Sequence, residues 1–173
     1  MVIRTINGKT PQIGERTFVA ETAAVLGDVV IGEDCSVWYS AVVRGDVNSI
    51  EIGDRVSVQD GTVIHVSGGE GGRVHIASDV VIGHNATLHA CTVGNHCLVG
   101  MGSTILDGAV ISDGSMVAAH ALVLGKTVIG PYELWGGVPA KFIKKITPEF
   151  VARAIDNGVQ SYVEWARIYR EQE

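Results

Sequence analysis

Val93-Gly94-Asn95-His96-Cys97-Leu98-Val99-Gly100-Met101-Gly102-Ser103-Thr104-Ile105-Leu106-Asp107-Gly108-Ala109-Val110-Ile111-Ser112-Asp113-Gly114-Ser115-Met116-Val117 carries a branched aliphatic residue at every sixth position: Val93, Val99, Ile105, Ile111 and Val117. The phase runs on through Val123 to Ile129. Upstream it is met again, with interruptions. Ile13, Val19, Val25, Ile31, Val37 and Val43 are followed by a three-residue skip, then Ile52, Val58 and Ile64, then a longer skip, then Ile76, Ile82 and Leu88. Four residues after each aliphatic position the side chain is usually small, as at Ala41, Thr62, Ala86, Cys97, Ser103 and Ala109. Glycine often follows the aliphatic residue directly, as at Gly32, Gly53, Gly83 and Gly100.

A period of six fits neither the 3.6 of an α-helix nor the simple alternation of a two-sided strand. It fits a coil of three short strands joined by corners, repeated along an axis. Branched aliphatics suit a flat stacked strand surface. Each would point inward onto its counterpart one coil away, with strands about 4.8 Å apart. Glycine and small residues let the chain turn the corners. The expected architecture is all-β with a C-terminal α-helix: a parallel β-helix of hexapeptide repeats over residues 11–135, a connecting loop over 136–146, and a helix over 147–171, in one domain spanning 1–173. Thr147-Pro148-Glu149 marks the helix start, with Thr as cap, Pro in the first turn and an early acid. Val151, Ile155, Val159, Tyr162 and Tyr169 recur at helical spacing, and Asn157-Gly158 is a candidate bend.

Composition narrows the function classes. The net charge of −6 comes without any basic run, which speaks against nucleic acid or an anionic membrane as partner. No stretch approaches the ~20 apolar residues of a membrane span. Met1 to Thr10 lacks a basic segment followed by an apolar one, so no signal peptide is expected. Cys35, Cys91 and Cys97 are an odd set without a CxxC pair, which points to reduced core thiols in a cytoplasm rather than to a disulfide framework or a zinc site.

Grouping the hexads by three places Val43, Ile64 and Leu88 on one face, so the residues that follow them, Arg44, His65 and His89, form one outward column. Two imidazoles one coil apart suit a shared Zn2+. His84 belongs to the neighbouring face, where Asp60 stacks with it and Gln59 follows Val58. A rigid coil would not let His84 reach the same ion, but three coils packed around a threefold axis would bring it to the next chain's His65 and His89. Both skips lie beside this column, within Arg44–Glu51 and directly after His65, as expected of loops that build a site. Three neutral imidazoles with an open fourth position make a catalytic rather than a structural zinc centre. His75, His96 and His120 read as solvated surface residues.

Val37-Trp38-Tyr39-Ser40-Ala41-Val42-Val43-Arg44-Gly45-Asp46, Gln59-Asp60-Gly61-Thr62-Val63-Ile64-His65, Ile82-Gly83-His84-Asn85-Ala86-Thr87-Leu88-His89 and Gly136-Gly137-Val138-Pro139-Ala140-Lys141 resemble the corresponding stretches of γ-class carbonic anhydrases, over nearly the whole chain. The resemblance implies a left-handed β-helix, a homotrimer with metal sites between subunits, and reversible hydration of CO2 to bicarbonate by a zinc-bound hydroxide. It implies His65, His84 and His89 as metal ligands, for Zn2+ with Fe2+ or Co2+ as alternatives. Gln59 would hydrogen-bond the metal-bound water, and Arg44, Asp46 and Asp60 would form a polar network that orients substrate. The chain departs from founding members in the loop after His65, where Glu70 is the sole acid, and at Val47, where those members place a glutamate. Proton export would then fall to buffer, His75 or a tyrosine of the C-terminal helix. Two rivals stand beside this reading: an acyl-CoA thioesterase or acyltransferase on the same fold, with His120 or His75 as base, and a catalytically weak metal-stabilised trimeric scaffold.

Overall fold

The computed structural model describes residues 1–172. The hexad pattern becomes a solenoid of parallel coils, each with three short strands. On one face Val37, Val58, Ile82 and Val99 are stacked partners. On the second, Val43, Ile64, Leu88 and Ile105 are. On the third, Ile52, Ile76, Val93 and Ile111 are. All these side chains are buried in the prism interior. The first skip is absorbed in the long strand Val42–Ile52, whose register against Ala24–Ile31 shifts between Gly27 and Val29. The second leaves the loop between Val63–His65 and Val74–Ile76.

Glycine turns many of the corners, as at Gly61, Gly102 and Gly114, but not all of them. Among the described residues eleven non-glycine residues have positive φ, including Asp34, Arg55, Asp79, Asn85 and His96. The glycine after each aliphatic position answers a different need. Gly32 has an ordinary φ, but a Cβ there would meet the Gly53 carbonyl of the next coil at 2.8 Å. Glycine at these sites permits close stacking of coils, while other glycines, such as Gly61 and Gly102, share the positive-φ turns with non-glycine residues. Small residues at the corners bond backbone across coils: Thr62 Oγ1 donates to the Gly83 carbonyl at 3.0 Å and Cys35 Sγ to the Gly53 carbonyl at 3.1 Å. All three cysteines are buried free thiols. Burial pushes Cys35 up to about 11 and Cys91 and Cys97 up to about 12, so none offers a thiolate near neutral pH.

One corner carries charges of alternating sign. Arg16 bonds Asp34 through Nε at 2.7 Å, and Arg55 forks onto Asp79 at 2.6 and 2.8 Å. The Arg55 hydrogen bonds hold the Asp79 carboxyl below its usual range. A depressed folded value contributes stability that is fully present above the unfolded value near 3.9 and is lost as pH falls through the folded one. Asp79→Asn is therefore expected to lower stability by about 1 kcal/mol at pH 7. Melting curves of the two proteins should converge below pH ~4, and equal stability at pH 7 would show the fork to be idle.

The segment over 136–146 is not a connecting loop. Glu133–Gly136 pairs antiparallel with Lys141–Lys145, reversing at Gly137, where φ is +99. The last coil would otherwise present an open strand edge, and this return strand covers it, with Lys141, Lys144 and Lys145 discouraging further pairing. Thr147 then caps the helix, accepting from the Phe150 N–H at 3.2 Å. Pro148–Val151 leads through a π-helical turn, Ala152–Asp156, into Asn157–Arg170. The irregular turn sits just before the Asn157-Gly158 pair. Val151, Ile155 and Val159 pack on Val81, Leu98, Met116 and Leu134 of the first face. Tyr169 stands edge-on to Trp38 at 5.1 Å, and Tyr162 at 5.9 Å. His96, a solvated surface residue by sequence, instead ties coil to helix through Asp156 at 2.8 Å. Among the described residues no helix is long and apolar enough to cross a membrane.

Candidate metal centre

Strand register aligns Arg44 with His65 and His65 with His89. The column read from the hexads is thus present, in that order along the axis. His65 Nδ1 lies 3.1 Å from His89 Nε2. The nitrogen of each ring that faces away from this gap meets a carboxylate: His65 Nε2 lies 3.0 Å from Asp46 Oδ1, and His89 Nδ1 lies 2.6 Å from Asp107 Oδ1. Arg44 in turn donates to Asp46. Burial opposes ionisation of Asp46, but hydrogen bonds from His65 and Arg44 outweigh it and hold the carboxyl below the usual range. The His89 hydrogen bond does the same for Asp107 against partial burial.

These contacts set a proton count. Three contacts, two ring–carboxylate and one ring–ring, each need one proton between acceptors. Two neutral imidazoles carry only two. With both N–H groups given to the carboxylates, two lone pairs face each other across 3.1 Å. A third proton or a cation in the gap resolves the conflict. Two nitrogens bound to one tetrahedral zinc at 2.0–2.1 Å lie about 3.3–3.4 Å apart, close to the observed spacing. The donor set therefore fits a metal, with both rings oriented by carboxylates as ligating histidines usually are.

His84 stands apart, on the turn after Val81–Ile82, with its Nδ1 2.8 Å from Asp60 Oδ2. Gln59 is buried, and its Oε1 accepts from the His84 backbone N–H at 3.1 Å. Tyr162 reaches the same amide; its phenol is pushed up by burial and by the nearby Asp60, against the hydrogen bond from Gln59. His84, Gln59 and Tyr162 border an apolar cavity of about 570 Å3 between the first face and the helix. Among the described residues, no three metal-ligating side chains meet within one chain. Arg44, Asp46, His65 and His89 are brought together; Gln59, Asp60 and His84 form a second group.

No family model matches the chain. It is 38% identical to a carbonic anhydrase of Geobacillus kaustophilus, over 98% of this chain and 91% of that one. The chain belongs to the γ-class carbonic anhydrase family. Gamma carbonic anhydrase 1, mitochondrial, of Arabidopsis thaliana is 46% identical over 83% of this chain, which spans only 54% of that relative's length. A solved hexapeptide transferase family protein from Anaplasma phagocytophilum superposes with a TM-score of 0.91 at 40% identity, covering 97% of this chain and 98% of that one.

Within this γ-class carbonic anhydrase fold the residues that the sequence reading passed over are Asp107 and the two insertions' contacts with each other. Asp107 was legible in principle. It lies two positions after Ile105, which stacks on Leu88, one step past the residue in register with His89, and its side chain reaches back to that ring. The insertions meet through Asn48, whose Nδ2 donates to the carbonyls of Ser67 at 3.2 Å and Gly69 at 2.9 Å. No periodicity announces that contact. His75 lies on the third face, 3.4 Å from Glu51, away from the Arg44–His65–His89 column.

Proposed function

We infer that the chain is a metal-dependent hydratase that interconverts CO2 and bicarbonate at a site shared between copies in a homotrimer. The observation that carries this reading is the gap between His65 Nδ1 and His89 Nε2, 3.1 Å wide and flanked on both sides by carboxylates. A divalent metal held there would make water nucleophilic near neutral pH. The chain's own residues would do the rest. Asp46 and Asp107 turn the two imidazoles so that their lone pairs converge, and Arg44 balances the Asp46 charge. Gln59 fixes the His84 backbone through Oε1 and, with one amide N–H given to Tyr162, would use the other to orient the attacking water and the product. His84, with Asp60 on its Nδ1, would present Nε2 to the neighbouring copy's column. Proton export falls to buffer: His75 stands on another face, and the half-buried Tyr162 phenol is pushed up and keeps its proton.

A second reading has one observation in its favour. The apolar cavity beside His84 would take an acyl chain, although no Lys or Arg lines it to meet the phosphates of coenzyme A. One sample separates the two. Protein loaded with Zn2+ or Fe2+ is expected to hydrate CO2, to lose that activity on chelation and to regain it on metal addition. Fully metallated protein that hydrolyses acyl thioesters but hydrates CO2 no faster than buffer would reverse the order of the readings.

A further inference from the structure

The geometry points to Asp107 as a positioning residue that fixes the ring of His89 from the coil above, so that its Nε2 lone pair faces His65 before any ligand arrives. This rests on the metal reading above and adds to it the residue that sets one ligand's tautomer. Asp107 Oδ1 lies 2.6 Å from His89 Nδ1, the shorter of the two carboxylate contacts in the column. With Nδ1–H given to that carboxylate, Nε2 is left as an acceptor, the form a metal requires. Asp46 holds His65 from the coil below at 3.0 Å. The two acids therefore bracket the ring pair from opposite ends of the axis.

Asp107 is itself held. The turn at Leu106–Ala109 is closed by Ala109 N–H donating to the Leu106 carbonyl at 3.1 Å, tied to the coil below by Gly108 N–H donating to the Ala90 carbonyl at 2.7 Å, and to the coil above by Lys126 N–H donating to the Asp107 carbonyl at 2.9 Å. The Ser67 hydroxyl hydrogen-bonds the Asp107 carboxylate. Ser67 opens the insertion after His65, and that insertion is braced by Asn48 from the earlier one. Both irregular segments thus bear on His89 through Asp107, which gives the second insertion a purpose that its sequence does not reveal. A merely solvated Asp would have no reason to meet a loop hydroxyl and a ring nitrogen at once.

Two readouts test this on the intact oligomer. In metal-free protein, long-range 1H–15N spectra of labelled histidine report the His89 tautomer directly. Wild type is expected to show Nδ1–H; Asp107→Ala is expected to shift His89 toward Nε2–H, and Asp107→Asn, whose amide oxygen still accepts, to keep Nδ1–H. In chelator competition with Zn2+, Asp107→Ala is expected to bind about 10–100-fold more weakly, with Asp107→Asn between it and wild type. A wild-type His89 with its proton on Nε2 overturns the assignment, and so does an Asp107→Ala protein with unchanged tautomer and unchanged zinc affinity. Failure of the metal reading looks different: wild type itself would bind no zinc, while the tautomer spectra, recorded without metal, still decide the role of Asp107.

Discussion

His89→Ala is expected to reduce CO2 hydration to the buffer background and to strip the protein of bound metal, and His84→Ala is expected to do the same from the other face. The first change removes the nitrogen that opposes His65 Nδ1 across the 3.1 Å gap. Either variant leaves only two of the three imidazoles, too few to hold the ion firmly at a site of this type. The second change removes a side chain that in one chain meets Asp60 rather than the column. If the site is shared around a threefold axis, the two dead proteins complement each other. In a mixed trimer one of the three interfaces joins an intact His65–His89 column to an intact His84. Random reassembly of equal amounts makes three-quarters of trimers mixed, so about a quarter of wild-type activity should return. The measurement is CO2 hydration and metal content after co-refolding or co-expression of the two variants. No recovery from well-formed mixed trimers would mean that each site is built within one chain or is not built at all.

The hexads made the fold legible because their chemistry is redundant. Each inward aliphatic is stacked on two others, so a missed repeat at the first or second skip does not lose the phase. The same register placed Arg44, His65 and His89 in one column, and it separated His84 from them. What stayed hidden depends on contacts that periodicity does not encode. The return strand Lys141–Lys145 reads as a loop because its residues are exposed on all sides; it exists to close an edge, and an edge is a property of the stack. Asp107 needed the one-residue deletion before Val93 to be followed through the next coil. The bracing of the two insertions by Asn48 joins segments whose own sequences are irregular. The glycines divide between two purposes, positive φ at turns such as Gly61 and Gly102 and close approach at Gly32 and Gly53, and both leave the same letter in the sequence.

Leu88→Ala is expected to be the most damaging core change near the site. Leu88 is fully buried, stacked between Ile64 and Ile105, with His89 as its outward neighbour. Removing its branched end leaves a cavity between two flat coils that cannot close the gap without breaking ladder hydrogen bonds on either side. The cost should fall in the range of about 2–5 kcal/mol, which for a chain of this length lowers the melting temperature by about 4–20 °C. Val138→Ala, at a position 71% exposed, should stay within about 0.5 kcal/mol and serves as the control. The coil is a stack of nearest-neighbour contacts, so damage concentrates in the coils that meet at Leu88. Those coils carry His65 and His89. Leu88→Ala should therefore lose metal affinity along with stability, although Leu88 is not itself a proposed ligand. Melting and zinc competition on the same preparation check both halves. A loss of stability without any loss of affinity would show that the column is held by Asp46 and Asp107 alone and owes little to the packing behind it.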